Sequence, residues 1–204
     1  MHISEGVLSL PVLIGGAAIC AGGTAIGLKK MSQEEIPKVG ILTATFFVAS
    51  LVHVPLGPSS VHLILNGLIG LILGWAAFPA LLVALFFQAV FFQFGGLTVL
   101  GVNTVNMALP GIIVYYLFLP AARSGNTVLS IIGGFLAGGV AVAMAGVLVA
   151  ISLYLSNQAF LAAAKAVLAA HIPIMIIEGI ITVIAISFIN KVRPELLGAH
   201  FEEV

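Results

Sequence analysis

Long apolar runs, parted by short polar breaks, make up nearly the whole chain. Apart from Glu178, the charged side chains sit in the breaks and near the two ends. Only 7% of residues are charged, against 61% hydrophobic. A soluble domain carries charge on about a quarter of its residues, because its surface must face water. This chain cannot cover itself that way, so its solvent is largely lipid. The same scarcity leaves no basic patch, which excludes nucleic acid as a partner. Cys20 is the single cysteine. It can form no internal disulfide, and inside an apolar run it reads as packing. The 23 glycines suit close helix–helix approach in a membrane, where small residues replace hydrophobic drive.

Seven apolar segments are legible, at about 8–28, 39–54, 61–77, 80–94, 109–122, 128–155 and 166–189. They predict an all-α, polytopic transmembrane helical bundle of about seven spans, forming one integral-membrane domain over residues 1–204. A span takes about 17–25 residues. The first, sixth and seventh segments meet this. The middle four are short, so kinked helices or helices sheltered by neighbours are expected there. The break at 75–79 is the weakest. Lys29, Lys30, Lys38, Arg123, Lys191 and Arg193 all follow odd-numbered segments, and only Lys165 falls on the other side. Lys and Arg mark the cytoplasmic side. The N-terminus is therefore expected outside, the C-terminus in the cytoplasm. No Lys or Arg precedes residue 29, and the first apolar segment is too long for a signal core. Met1 is accordingly expected to remain at the mature N-terminus.

Five histidines occur, and this topology maps four of them, His2, His53, His62 and His171, to the outer side, with His200 in the cytoplasmic tail. Interfacial histidines also serve as amphipathic anchors. His2 has a further chemical property. A free amine on Met1, the amide nitrogen of His2 and its imidazole Nδ1 reach one metal ion through a five-membered and a six-membered chelate ring. Three coplanar nitrogens suit square-planar Ni(II) or Cu(II), and Co(II) can also use them. A second imidazole would complete the plane. Binding should release protons, since amide and imidazolium must lose theirs.

His62 follows a Pro/Gly/Ser-rich segment, 54–60, and is expected in the first turn of the third span with Ser59 or Ser60 as cap. Asn66, four residues on, would share its helical face and either orient the His62 ring or bond between helices. The stretch 95–107 is glycine-rich and uncharged. It reads as a loop folded back over a pocket, with Asn103 and Asn106 available to bond the metal-binding segment. His171 and Glu178, seven residues apart, share a face of the last span. An ionisable residue inside a span is functional by default, and Glu178 is expected to bond an outer histidine, to shape the path, or to brace a neighbouring helix.

The opening Met1-His2-Ile3-Ser4-Glu5-Gly6 resembles the start of the cobalt/nickel permease family (CbiM/NikM), which typically reads Met-His-Ile-Pro-Glu/Asp-Gly. Ser4 departs from that pattern. The segments 55–67 and 95–111, His171 with Glu178-Gly179, and the closing 191–197 are similar to family segments too. The resemblance implies the substrate-binding (S) component of an energy-coupling-factor ABC importer in a prokaryotic inner membrane. It implies a transmembrane coupling (T) component, two ATP-binding subunits and a small accessory membrane subunit as partners. It also implies Ni2+ or Co2+ as transported substrate, held by Met1, His2 and His62. Some cobalt members read Ser-His-Pro-Thr-Gly around the second histidine, unlike this chain.

No Walker motif or phosphate-binding loop occurs, so energy must come from partners. An intramembrane metalloenzyme would need a pattern such as His-Glu-x-x-His, or Gly-x-Ser-x-Gly for a serine hydrolase, and neither is present. A self-sufficient secondary transporter or channel usually carries internal repeats, and none is convincing here. Small-residue stripes at Ala17, Ala21 and Ala25, or at Gly133, Gly134, Gly138 and Gly139, are expected to pack against another helix.

Overall fold

The computed structural model describes residues 2–51 and 53–198, with the side chain of His53 outside the described set. The expectations for Met1, for the ring of His53 and for His200 therefore lie outside the described residues. Described helices are α1 (Leu10–Lys30), α2 (Ile36–Ala49), α3 (Asn66–Leu73), α4 (Ala77–Phe92), α5 (Leu100–Ala122), α6 (Thr127–Ser156) and α7 (Leu161–Val192). A hairpin of β1 (His53–Leu56) and β2 (Ser59–His62) lies between α2 and α3. Local chemistry sets several ends. Pro11 stands in the first turn of α1, where its missing N–H costs nothing, and Lys29 and Lys30 oppose the negative end of its dipole. Asn126 caps α6, its Oδ1 accepting from the amides of Val128 at 3.0 Å and Leu129 at 3.2 Å.

By length and composition, five stretches can cross a membrane: Leu10–Lys30, Asn66–Phe92, Leu100–Ala122, Thr127–Ser156 and Gln158–Val192. α2, at 14 residues, falls below that length. The stretch Asn66–Phe92 reverses direction at Gly74, which takes φ 51°. Asn66 lies beside Met107, Gly70 beside Gly111 and Gly74 beside Tyr115, so α3 runs parallel to α5. Trp75 then sits by Lys30, and α4 climbs back antiparallel to α1, from Phe78 against Gly23 to Phe94 beside His2. Every residue of α3 is buried. Short helices survive in lipid because neighbours cover them.

Small residues set the helix contacts. Gly67 and Gly70 bring the backbone of α3 onto α6 and α5, and Gly138 brings α6 onto Glu178 and Thr182 of α7. The stripe on α6 therefore packs within the chain. On α1 the buried residues are Cys20, Gly23 and Gly27; the backbone of Ala17 lies against Gly101 of α5, while Ala21 and Ala25 are exposed.

Two sequence expectations are corrected. The loop expected at 95–107 ends early: α5 begins at Leu100, so Asn103 and Asn106 are helical. Their polarity mimics a loop, but both side chains are buried, and the Thr104 hydroxyl donates to the Leu100 carbonyl of its own helix at 2.8 Å. His62 lies on β2, four residues before α3 begins, and neither Ser59 nor Ser60 caps that helix.

Candidate metal centre

The extended N-terminal segment lies against β2 as an added strand. Ile3 bridges Ser59 in antiparallel register, the Ser60 amide donates to the His2 carbonyl at 3.2 Å, and the Ser4 amide to Pro58 at 3.1 Å. On its other side the Glu5 amide donates to the Gly95 carbonyl at 3.0 Å. Asn103 grips Ile3 from α5 at two points: Oδ1 accepts the Ile3 amide at 3.0 Å and Nδ2 donates to its carbonyl at 3.1 Å. The His2 amide donates a longer bond, 3.4 Å, to the Ser60 hydroxyl. Gly95 has to be glycine. Its φ is +74°, and a Cβ there would meet Asn103 Nδ2 at 2.8 Å.

These constraints bring His2 to His62. Their rings stack with centroids 4.6 Å apart and planes 26° apart. Both side chains are buried, each 3% exposed, and Phe94 and Phe46 flank the pair at 5.9 and 6.4 Å. Nδ1 of His62 contacts the Leu63 carbonyl at 2.6 Å. A carbonyl only accepts, so Nδ1 carries the proton and Nε2 presents its lone pair. Nε2 has no hydrogen-bond partner among the described residues. Burial pushes the His62 imidazole down to about 4, so it is neutral and ready to ligate. A cavity of about 120 Å³ adjoins His2, lined also by Ser4, Ser59, Ser60 and Phe94 among others.

Behind the histidines, Glu178 of α7 reaches the turn between β2 and α3. Its carboxylate accepts the amides of Ile64 and Leu65, the latter at 2.9 and 3.0 Å to the two oxygens. Leu65 takes φ 52°, a left-handed conformation that costs a branched side chain about 1–3 kcal/mol. The carboxylate compensates by holding two amides that would otherwise lie buried and unpaired. Glu178 thus holds the backbone of the turn just after His62.

His171 lies close enough to His62 for their charges to interact. It is 1% exposed, its Nδ1 contacts the Val167 carbonyl at 2.5 Å, and its Nε2 has no partner among the described residues. Asn66 does not orient His62. Its Nδ2 donates to the carbonyls of Met107 at 3.1 Å and Ala141 at 3.3 Å, tying α3 to α5 and α6. Asn106 is buried with its Nδ2 unpartnered among the described residues and makes no contact with the N-terminal segment in the hydrogen-bond network. The role of Ser60 toward His2 escaped sequence reasoning, as did the Glu5 carboxylate accepting the Thr98 amide at 3.0 Å. These pairs join residues 58 and 93 apart, and no local pattern marks them. Among the described residues, no three His, Cys, Asp or Glu side chains converge as a metal cage.

Residues 2–196 match the family described as the cobalt uptake substrate-specific transmembrane region, CbiM. The chain is 43% identical to a Haemophilus influenzae protein named for metal transport, over 97% of each chain. It is 30% identical to an Archaeoglobus fulgidus protein named as a fused nickel transport protein, NikMN, covering 97% of this chain and 68% of that one. A crystal structure of a transition metal transporter superposes with a TM-score of 0.76 at 27% identity, covering 94% of this chain and 93% of the other.

Proposed function

The chain belongs to the CbiM family, and from that premise we propose that it captures Ni2+ or Co2+ through the Met1 amine, the amide and Nδ1 of His2, and Nε2 of His62. A membrane component of cobalt or nickel uptake needs a site that strips water from the ion yet adds little charge to the bilayer. A set of nitrogen donors containing one deprotonated amide does this, leaving a net charge near +1 on a divalent ion. Four coplanar nitrogens favour Ni(II).

The observation that carries this reading is the stacking of His2 on His62, 4.6 Å apart, with the His2 backbone tethered at once to Ser60. The long bond from the His2 amide to the Ser60 hydroxyl costs little to give up when that amide is deprotonated. Glu178 and Asn103 act as positioning residues, one for the turn after His62 and one for the strand carrying His2.

The seven helices make seven crossings, with α2, α3 and α4 short and α3 wholly sheltered by its neighbours. The N-terminus lies outside and the C-terminus in the cytoplasm of a prokaryotic inner membrane. The chain acts as the S component of an energy-coupling-factor transporter, with a T component, two ATP-binding subunits and a small accessory subunit. ATP use by those partners drives the ion inward.

The test is metal content after purification, with nickel and cobalt offered together, for the wild type and for a form carrying one extra residue before Met1. The extension leaves every side chain intact and moves the free amine out of chelate range. Loss of bound metal supports the chelate, and the wild-type nickel-to-cobalt ratio identifies the substrate. Full occupancy in the extended form defeats the chelate.

A further inference from the structure

At the end of the bundle away from His2, the ends of three spanning helices enclose a pocket of about 460 Å³. Asn103 grips Ile3 near the start of α5, and Arg123 follows the last residue of the same helix. At 1.5 Å per residue the two levels lie about 30 Å apart, one hydrocarbon thickness. Arg123, Thr127, Ser187 and Lys191 are among the lining residues, and no carboxylate or imidazole joins them among the described residues. Neither Arg123 nor Lys191 makes an ion pair among the described residues, whereas the neighbouring Arg193 is paired with Glu195 at 3.2 Å.

The floor beneath these cations is built and rigid. The Ser130 hydroxyl donates to the Ala122 carbonyl at 2.7 Å, and Asn190 Nδ2 donates to the same carbonyl at 2.8 Å and to Ser130 Oγ at 3.0 Å. This network locks the ends of α5, α6 and α7 together, so the spacing of Arg123 and Lys191 is set by the fold. The N-terminus of the 30-residue α6 adds positive potential at the same level. The hydroxyls of Thr127 and Ser187 make no hydrogen bond among the described residues. The pocket therefore offers two cations and two free hydroxyls, and its ligand must carry several acceptor oxygens and negative charge. Phosphate chemistry meets that demand.

Just outside the pocket, Ile184 and Phe188 are each 64% exposed and Val128 is 65% exposed, as acyl chains require. We propose that this pocket binds the phosphate headgroup of an anionic phospholipid, whose chains lie along α7 and the first turn of α6. Basic pockets between spanning helices at the membrane boundary hold such headgroups. The assignment rests on the membrane-spanning bundle alone and is independent of the metal reading.

Native mass spectrometry of the detergent-purified full chain tests it, after exchange into phosphatidylglycerol or phosphatidylcholine and progressive delipidation. The wild type is expected to keep one phosphatidylglycerol where phosphatidylcholine is lost. Arg123→Gln with Lys191→Gln is expected to weaken retention roughly 30-fold, and Arg123→Lys with Lys191→Arg to keep it. Ser187→Phe, which fills the pocket from an exposed position and leaves both cations, should give the same loss as the double Gln variant. Unchanged far-ultraviolet circular dichroism and melting temperature in each variant show that the bundle is intact. Equal retention of the two lipids overturns the proposal, as does full retention in both the double Gln and Ser187→Phe forms. Saturation by millimolar inorganic phosphate that phosphatidylglycerol vesicles fail to displace would assign the pocket to the free anion instead.

Discussion

The carboxylate of Glu178 accepts the amide of Leu65, 113 residues away in sequence, and so braces the turn that carries His62. Replacing Glu178 with Ala leaves two buried amides unpaired and frees a left-handed leucine to relax. Metal affinity is expected to fall about 10–100-fold, read as nickel retained against a competing chelator. Glu178→Gln, which keeps one acceptor oxygen, should lose less. Equal losses in the two variants would show that the side chain acts through its charge rather than through these bonds.

Stacked on each other, His2 and His62 are expected to be indispensable, while His171 is a neighbour. His2→Ala and His62→Ala should abolish stoichiometric nickel binding. His171→Ala should lower affinity by less than about tenfold. Complete loss in His171→Ala would make it a ligand and displace the N-terminal nitrogen set.

Asn103 holds both polar groups of the Ile3 backbone. Asn103→Ala should cost about 1–3 kcal/mol for each buried group left unpaired, spent locally in peeling residues 2–5 off the hairpin. Hydrogen exchange at the amides of Ile3, Ser4 and Glu5 should speed up while the amides of α6 stay protected. Uniform acceleration across the bundle would mean that Asn103 supports the whole fold instead.

Gly70 packs its α-carbon against the backbone of Gly111. A methyl group at Gly70 would overlap the Gly111 carbonyl, so Gly70→Ala must force α3 from α5, at about 1–3 kcal/mol. A lower melting temperature in detergent is expected, together with weaker nickel binding because Asn66 and the turn before it shift. Gly22, whose Cβ would meet open space, is the control: Gly22→Ala should melt with the wild type.

Burial is the main cause of the depressed His62 imidazole, pushed down to about 4 from the ordinary 6.5, and the Leu63 carbonyl opposes it only in part. The unfolded chain therefore takes up this proton first. The contribution to stability is complete above about pH 6.5 and drains away as pH falls toward 4, by about 3 kcal/mol in all. The melting temperature of the metal-free protein should fall between pH 7 and 4.5, and His62→Gln should flatten that fall. Parallel curves for the two proteins would contradict the assignment.

Much of the fold was legible because lipid imposes a simple code. Seven apolar segments correspond to seven described helices, and even the weak break before Pro79 proved to be a reversal. The failures were local and had a common cause. Asn103, Thr104 and Asn106 carry loop polarity on a buried stretch of helix: Asn103 answers the backbone of Ile3 and Thr104 turns back on its own helix. The segment around His62 is too short for its periodicity to separate strand from helix, and pairing with β1 and Ile3 decides the matter. The chelate proposed for His2 rests on its position in the sequence. That Ser60 and Asn103 grip the chain around it depends on contacts 58 and 100 residues long, for which one sequence holds no sign.

Those long reaches have a consequence for biogenesis. His2 is made well before its supports: Ile3 cannot be clamped until Asn103 has been translated and inserted, and the turn after His62 waits longer still, for Glu178. The hairpin can form early, but the turn that follows His62 is fully held only when α7 arrives.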